Sequence, residues 1–291
     1  MRTPLFAQIK LVVCDLDNTL YDWVTFFSKA FYAMVETVVP ILDVPKDQIL
    51  DELQDVHKRY GDSEPPFALL EIPSVKNRYP DKSPKQLQDL LDPAFHSFNS
   101  ARKKYLLAYP GVENGLTEIK MAGTKIVAHT EATVVNAEYR LRKLNLIDYF
   151  SCIYAVQDKG PGHPNPQQLK QSLRTHKLQI LSLHHRKPDT QILLKICADA
   201  GVTPSSALYI GDSIPRDIGM AHAAGVHSAW AKYGTSFDKE DWDRLVRITH
   251  WTDEDVRRAD HARKMYGATV PEVVLEERFD EILNFYDFIA P

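Results

Sequence analysis

Short runs of aliphatic and β-branched residues punctuate the chain at 10–14 (KLVVC), 125–129 (KIVAH), 152–156 (CIYAV), 207–210 (ALYI) and 226–231 (VHSAWA). They are largely apolar without strict alternation, the pattern of strands buried on both faces of a parallel sheet. Between them lie segments with apolar residues at helical spacing: 113–121, 134–144, 190–200 and 218–224. Gly123, Gly201 and Gly225 follow three of these segments and suit helix stops. Strand–helix alternation of this kind predicts an α/β fold, with right-handed βαβ crossovers laying helices on both faces of a parallel sheet.

One stretch breaks the alternation. No strand-like run occurs between Tyr21 and Tyr109, and the spacing predicts helices at 23–39, 46–60, about 67–71 and 84–107. Pro40, Pro45, Pro65, Pro66, Pro73, Pro80 and Pro93 fall at turns, first-turn positions or a kink. The block is too long for a loop and reads as an all-helical insertion. Residues 157–186 form a second irregular stretch, polar and opened by Gly160, Pro161, Gly162, Pro164 and Pro166, with one candidate helix at 166–175. After Gly234 the chain is charged and amphipathic, and helices are expected at 252–265 and 271–288.

Composition narrows the function classes. With 44% hydrophobic and 25% charged residues over 291 positions, the chain is neither disordered nor fibrous. A net charge of −4 supplies no basic field for a nucleic acid and no polybasic segment for a membrane surface. Apolar runs are short of a membrane span, and the run after Lys10 is too short for a signal-peptide core. Cys14, Cys152 and Cys197 are dispersed and form no disulfide framework. A soluble cytoplasmic protein is expected.

Chemistry concentrates where strands end. The first run leads into Asp15-Leu16-Asp17-Asn18-Thr19-Leu20, and ligands of open α/β sheets bind just beyond the carboxyl ends of strands. Two carboxylates at i and i+2 can turn into one site, where they repel and favour a hard divalent cation such as Mg²⁺. A bare Asp-x-Asp fits a solvated turn equally well. The fourth run feeds Gly211-Asp212-Ser213 and then Asp217. Parallel topology would bring all four acids to one sheet edge, a density of negative charge that calls for a bound metal. Thr130, directly after the second run, offers a hydroxyl to an anionic oxygen or caps the next turn. Lys187 precedes Pro188 and Asp189, which suit a helix start. A cation there lowers carboxylate pKa values and can hold a phosphate oxygen.

Together, Asp-x-Asp-x-Thr after the first strand, Thr after the second, Lys-Pro before a helix and Gly-Asp-Ser…Asp after the fourth resemble the motifs of the haloacid dehalogenase superfamily of aspartate-nucleophile hydrolases. The likeness covers 10–20 and 111–234. It implies a Rossmann-like core at 1–20 and 110–291, an all-helical cap of the C1 type at 21–109, an insertion at 157–186 and a helical extension at 235–291. It further implies Asp15 as the nucleophile that becomes an aspartyl-phosphate, and Asp17 as acid for the leaving alcohol and then base for water. Thr130 and Lys187 would bind the transferred phosphoryl oxygens. Mg²⁺ would sit on Asp15, the main-chain carbonyl of Asp17 and Asp212, with Asp217 assisting through water.

The activity so implied is hydrolysis of a small soluble phosphomonoester, phosphoglycolate- or sugar-phosphate-like, by a monomer or homodimer. A nucleoside 5′-monophosphate is the alternative, because DLDNTLY also resembles pyrimidine nucleotidases and sialic-acid-phosphate phosphatases. Asp17 weighs against a dehalogenase, whose reaction has no leaving alcohol to protonate. A phosphosugar mutase shares both aspartates but needs cap residues for a second phosphate, and no such set stands out. A non-catalytic binding protein on this fold would not need every catalytic position filled.

Two features depart from the resemblance. The superfamily's Lys usually follows the third strand closely, whereas 157–186 intervene here, expected as an excursion above the site. Glu131 stands where relatives commonly carry a small or amide residue and is expected to open the next helix. The histidines, among them His129, His163, His176, His184, His185, His222 and His227, show no zinc-type spacing; His184 and His185 read as solvated. Trp23, Phe26, Phe27, Phe31 and Tyr32 have the spacing of a helix core, with Tyr21, Asp22 and Phe26 near enough to the first motif to face the site.

Overall fold

A computed structural model describes residues 7–65, 67–157, 178–182, 185–251 and 253–291. Its strands are β1 (Gln8–Ile9), β2 (Leu11–Cys14), β3 (Lys125–Thr133), β4 (Cys152–Val156), β5 (Leu178–Leu181), β6 (Ala207–Gly211), β7 (His227–Ala231), β8 (Val273–Leu275) and β9 (Asp287–Phe288). Seven of them form one sheet in the order β5-β4-β3-β2-β6-β7-β8, with every pairing parallel. Residues alternate across it as the pleat requires. Val12 and Cys14 enter one apolar layer with Leu116, Ile119 and Leu141, while Leu11 and Val13 enter the other with Leu193, Ile196 and Met220.

The helices fall into groups. Between β2 and β3 run α1 (Trp23–Leu42), α2 (Lys46–Tyr60), α3 (Pro73–Arg78), α4 (Pro84–Leu90) and α5 (Asp92–Tyr105). Next come α6 (Val112–Met121), α7 (Val134–Lys143), α8 (Thr190–Ala200) and α9 (Gly219–Ala223), and beyond β7 follow α10 (Lys239–Ile248) and α11 (Asp253–Tyr266). Asp22 starts α1 by accepting from the Thr25 N–H at 2.9 Å, the N-cap arrangement. By length and composition α1 could cross a membrane, with a mean hydropathy of 1.3, so one apolar helix is longer than the runs suggest. Its Phe26, Phe27, Phe31, Val35 and Val38 are buried, and it lies against α5 and α10.

Several expectations need correction. The segment 84–107 forms two helices rather than one, because Pro93 sits at the start of α5 and supplies no N–H to continue α4. Residues 157–186 are not all loop: Leu178–Leu181 adds β5 at the sheet edge beside β4. The candidate helix at 166–175 lies outside the described residues. The tail at 271–288 is not a helix. Val273–Leu275 extends the sheet on β7, Phe279–Asn284 makes a 3₁₀ turn, and Asp287–Phe288 pairs in parallel with Gln8–Ile9. Adjacent β-branched Val273 and Val274 favour the extended chain. Finally, β3 continues through Thr133, past a register irregularity between His129 and Thr133, so Glu131 lies in a strand and opens no helix.

Candidate active site

The order of the sheet decides which strand ends meet. β2 lies between β3 and β6, with Cys14 opposite Ala128 on one side and Ile210 on the other. Asp15 and Asp212 therefore leave neighbouring strands at the same edge, and Thr130 lies beside them within β3 rather than after it, because that strand runs on to Thr133. The Asp15 N–H donates to the Ile210 carbonyl at 2.9 Å, which ties the start of the acidic motif to the sheet. Asn18 then takes a left-handed conformation (φ 59°), and its side-chain oxygen accepts from the Trp23 N–H at 3.1 Å. That turn directs the chain into α1. Gly234 lies against it so closely that a Cβ there would sit 1.6 Å from the Asn18 carbonyl oxygen.

Carboxylate oxygens of Asp15, Asp212 and Asp217 lie within 4.8 Å of one another. The Lys187 ammonium is inserted among them, 2.7 Å from Asp15 Oδ1 and 2.9 Å from Asp217 Oδ1. Lys187 thus reaches the cluster despite the long segment before it. Asp217 also accepts from the Ser213 N–H at 2.9 Å. Gly211 makes this fold-back possible, since a Cβ on it would meet the Asp217 carboxyl at 2.5 Å. The main chain after β6 is fixed by the Trp230 indole, which donates to the Asp212 carbonyl at 2.7 Å.

Burial and mutual repulsion tune these groups. Burial pushes Asp15 well above the ordinary carboxylate range; Asp217 and Asp212 add to the rise, and Lys187 opposes it. Burial, then the charge of Asp217, pushes Asp212 up to about 7. Burial disfavours the Lys187 ammonium, yet Asp15 and Asp217 more than offset this and hold it well above the usual lysine value. One ammonium does not neutralise three carboxylates. An all-oxygen donor set with surplus negative charge suits a hard divalent cation.

The remaining expected residues are near. Thr130 is buried, and its hydroxyl oxygen accepts from the Ala132 N–H at 3.0 Å, leaving its own proton to donate elsewhere. Glu131 pairs with Arg216 at 3.1 Å. His185 bonds Asp189 at 2.8 Å, and His129 is buried against Tyr209; His163, His176 and His184 lie outside the described residues. Asp22 caps α1, whereas Tyr21 and Phe26 flank a buried guanidinium.

That guanidinium belongs to Arg140, which motif reasoning does not single out. From α7 it donates to Asp17 Oδ1 at 2.8 Å and pairs with Glu64 Oε2. Glu64 in turn accepts from the Trp23 indole at 2.9 Å. The sequence holds one signal: Glu138 and Arg140 interrupt an otherwise apolar buried stripe of α7. A cavity of about 690 Å³ opens over the edge, lined by Asp15, Asp17, Thr130, Lys187 and Asp212. Trp242, Trp251, Arg258 and Arg263 from the tail also line it, a contribution the sequence reading does not anticipate.

Known proteins resemble the chain. A glyceraldehyde 3-phosphate phosphatase of Methanopyrus kandleri is 27% identical over 238 residues, covering 80% of this chain and 88% of the relative. A phosphoglycolate phosphatase of Nitrosospira multiformis is 26% identical, covering 80% and 87%. Among solved structures, a 2-haloacid dehalogenase from Pseudomonas syringae pv. Tomato superposes with a TM-score of 0.56 at 20% identity, covering 95% of this chain and 97% of the other. The family model for haloacid dehalogenase-like hydrolases matches residues 9–225, which hold the whole acidic edge with Thr130, Arg140 and Lys187, and the chain belongs to that family of hydrolases.

Proposed function

We propose that the protein is a Mg²⁺-dependent phosphatase that hydrolyses a small phosphomonoester through an aspartyl-phosphate. The observation that carries this reading is the buried cluster of Asp15, Asp212 and Asp217 around Lys187, with Asp17 two residues from the nucleophile. The phosphatase names of the relatives lend support. In this reading 21–109 is a cap on a core of 1–20 and 110–291, with segments 157–186 and 235–291 added to the core. We assign the protein to the cytoplasm, in keeping with the dispersed placing of Cys14, Cys152 and Cys197 along the sequence.

Asp15 attacks phosphorus as the ester P–O bond breaks, and Asp17 gives its proton to the departing alkoxide. Asp17, now a carboxylate, takes a proton from water as the water oxygen attacks the aspartyl-phosphate. This frees inorganic phosphate and restores Asp15. Lys187 and the Thr130 hydroxyl hold the transferred oxygens, where charge must be stabilised. Asp15, Asp212, Asp217 and the Asp17 carbonyl would hold Mg²⁺, which supplies charge neutralisation when bound. Asp17 also separates this chemistry from halide displacement, which produces no alkoxide.

The direct test is phosphate release from phosphoglycolate, glyceraldehyde 3-phosphate, sugar phosphates and nucleoside monophosphates, with and without Mg²⁺. Mg²⁺-dependent release abolished in Asp15→Asn is expected; no release from any ester overturns the reading. Mg²⁺ should also raise the melting temperature by mass action, and Asp212→Asn should remove most of that rise. A nucleoside monophosphate is the second reading, favoured by the 690 Å³ cavity with Trp23, Trp242 and Trp251 in its walls. That is ample space for a base and a ribose.

A further inference from the structure

We propose that Arg140 is a positioning residue for proton transfer by Asp17, an inference that rests on the phosphatase reading above. Arg140 is 2% exposed, and its guanidinium lies 5.9 Å from the centre of the Tyr21 ring and 5.1 Å from that of Phe26. Burying an arginine is costly, and an apolar side chain of similar volume would serve packing at least as well. Here the charge is met on two sides: Asp17 Oδ1 at one nitrogen and Glu64 Oε2 at another. Burial disfavours the guanidinium charge, but Glu64 and Asp17 more than offset that cost and keep it protonated.

The three residues come from three parts of the chain. Asp17 follows β2, Arg140 belongs to α7, and Glu64 lies between α2 and α3, held by the Trp23 indole. Arg140 is therefore anchored by Glu64 as well as by its own helix, and a planar fork held at both ends fixes the carboxyl it grips. With Oδ1 committed to Arg140, the Asp17 carboxyl cannot rotate freely, and the proton it exchanges is carried by its other oxygen. Asp17 lines the cavity, and in this proposal its other oxygen serves the ester held at Asp15. Glu64 makes the alignment depend on the helical segment between β2 and β3 as well as on the sheet edge.

The test is the dependence of kcat/KM on the leaving group, because this ratio reports the steps through ester cleavage. An alkyl phosphate needs its departing oxygen protonated; 2,4-dinitrophenyl phosphate releases a stable anion and does not. In Arg140→Met, kcat/KM should fall about 100-fold on the alkyl ester and less than about 3-fold on the dinitrophenyl ester. Arg140→Lys should restore part of the alkyl activity. Glu64→Gln keeps the shape but turns one of the two accepting oxygens, which face the Trp23 indole and Arg140, into a donor, and should lose about 5-fold on the alkyl ester with little change on the other. Equal losses on both esters, or none, in variants with native circular dichroism overturn the inference while leaving the phosphatase reading intact. If Arg140→Met does not fold, Glu64→Gln decides by the same criterion. Wild-type protein inert on both esters with Mg²⁺ overturns the phosphatase reading, and this inference with it.

Discussion

Gly211 is a residue at which the site has little tolerance. A methyl group there would meet Asp217 at 2.5 Å, and Asp217 has no room to retreat, being held by Lys187 at 2.9 Å and by the Ser213 N–H at 2.9 Å. Gly211→Ala should leave the protein folded yet lower phosphate release by about 10- to 100-fold, the usual cost of displacing a positioned group. A steady-state assay with a circular-dichroism control checks this; unchanged activity would mean that the fold-back onto Asp217 is dispensable. The same residue shows why much of the site was legible. Asp15, Asp212 and Asp217 follow strands within a few residues and Thr130 lies near the end of β3, so local patterns and parallel topology together bring them to one edge. Arg140 was not legible because its partners are far away in sequence, 123 residues for Asp17 and 76 for Glu64. Nothing in the local pattern of α7 names either of them.

Elements follow the same rule of locality. The central strands β2, β3, β6 and β7 were readable because burial on both faces demands continuous apolar runs. Edge strands lack that demand. In β5, Ile180 is 65% exposed whereas Leu181 is buried, and the run looks like loop. The last residues mislead for another reason: their apolar positions fall near helical spacing, yet Phe279 and Ile282 are fully buried on a 3₁₀ turn against α6. Gly115 of α6 accommodates the ring, since a Cβ there would meet Phe279 at 2.6 Å. Phe279→Ala should therefore cost about 3–5 kcal/mol of stability, the range for a large aromatic removed from a closed core. Urea unfolding measures it, and a loss under about 1 kcal/mol would show that this turn is not integral to the core.

At the scale of the whole molecule, the helical segment between β2 and β3 and the tail beyond β7 hold each other as well as the sheet. Asp241 of α10 accepts from Ser28 at 3.1 Å and pairs with Lys29 at 3.0 Å, both on α1. Ser63 and His250 share a hydrogen bond of 2.7 Å. His57 of α2 reaches the carbonyl of Ile248, the last residue of α10, at 2.7 Å, and its ring meets Phe31 edge-on at 5.5 Å. Burial lowers the His57 pKa from 6.5 to about 4, with the bond to Ile248 opposing only in part. The folded protein thus keeps this ring neutral where the unfolded chain would protonate it. Between pH 6.5 and about 4 the unfolded state binds the extra proton, so stability must fall as pH falls through that window. Above it the contribution is fully present, and below it the loss is complete, at roughly 3 kcal/mol. Other groups titrate in the same range, so the comparison must be internal. His57→Asn keeps a donor for Ile248 but cannot take up the proton. Its unfolding free energy should decline less than that of the wild type between pH 7 and pH 4.5, and parallel declines would show that the ring does not carry the linkage.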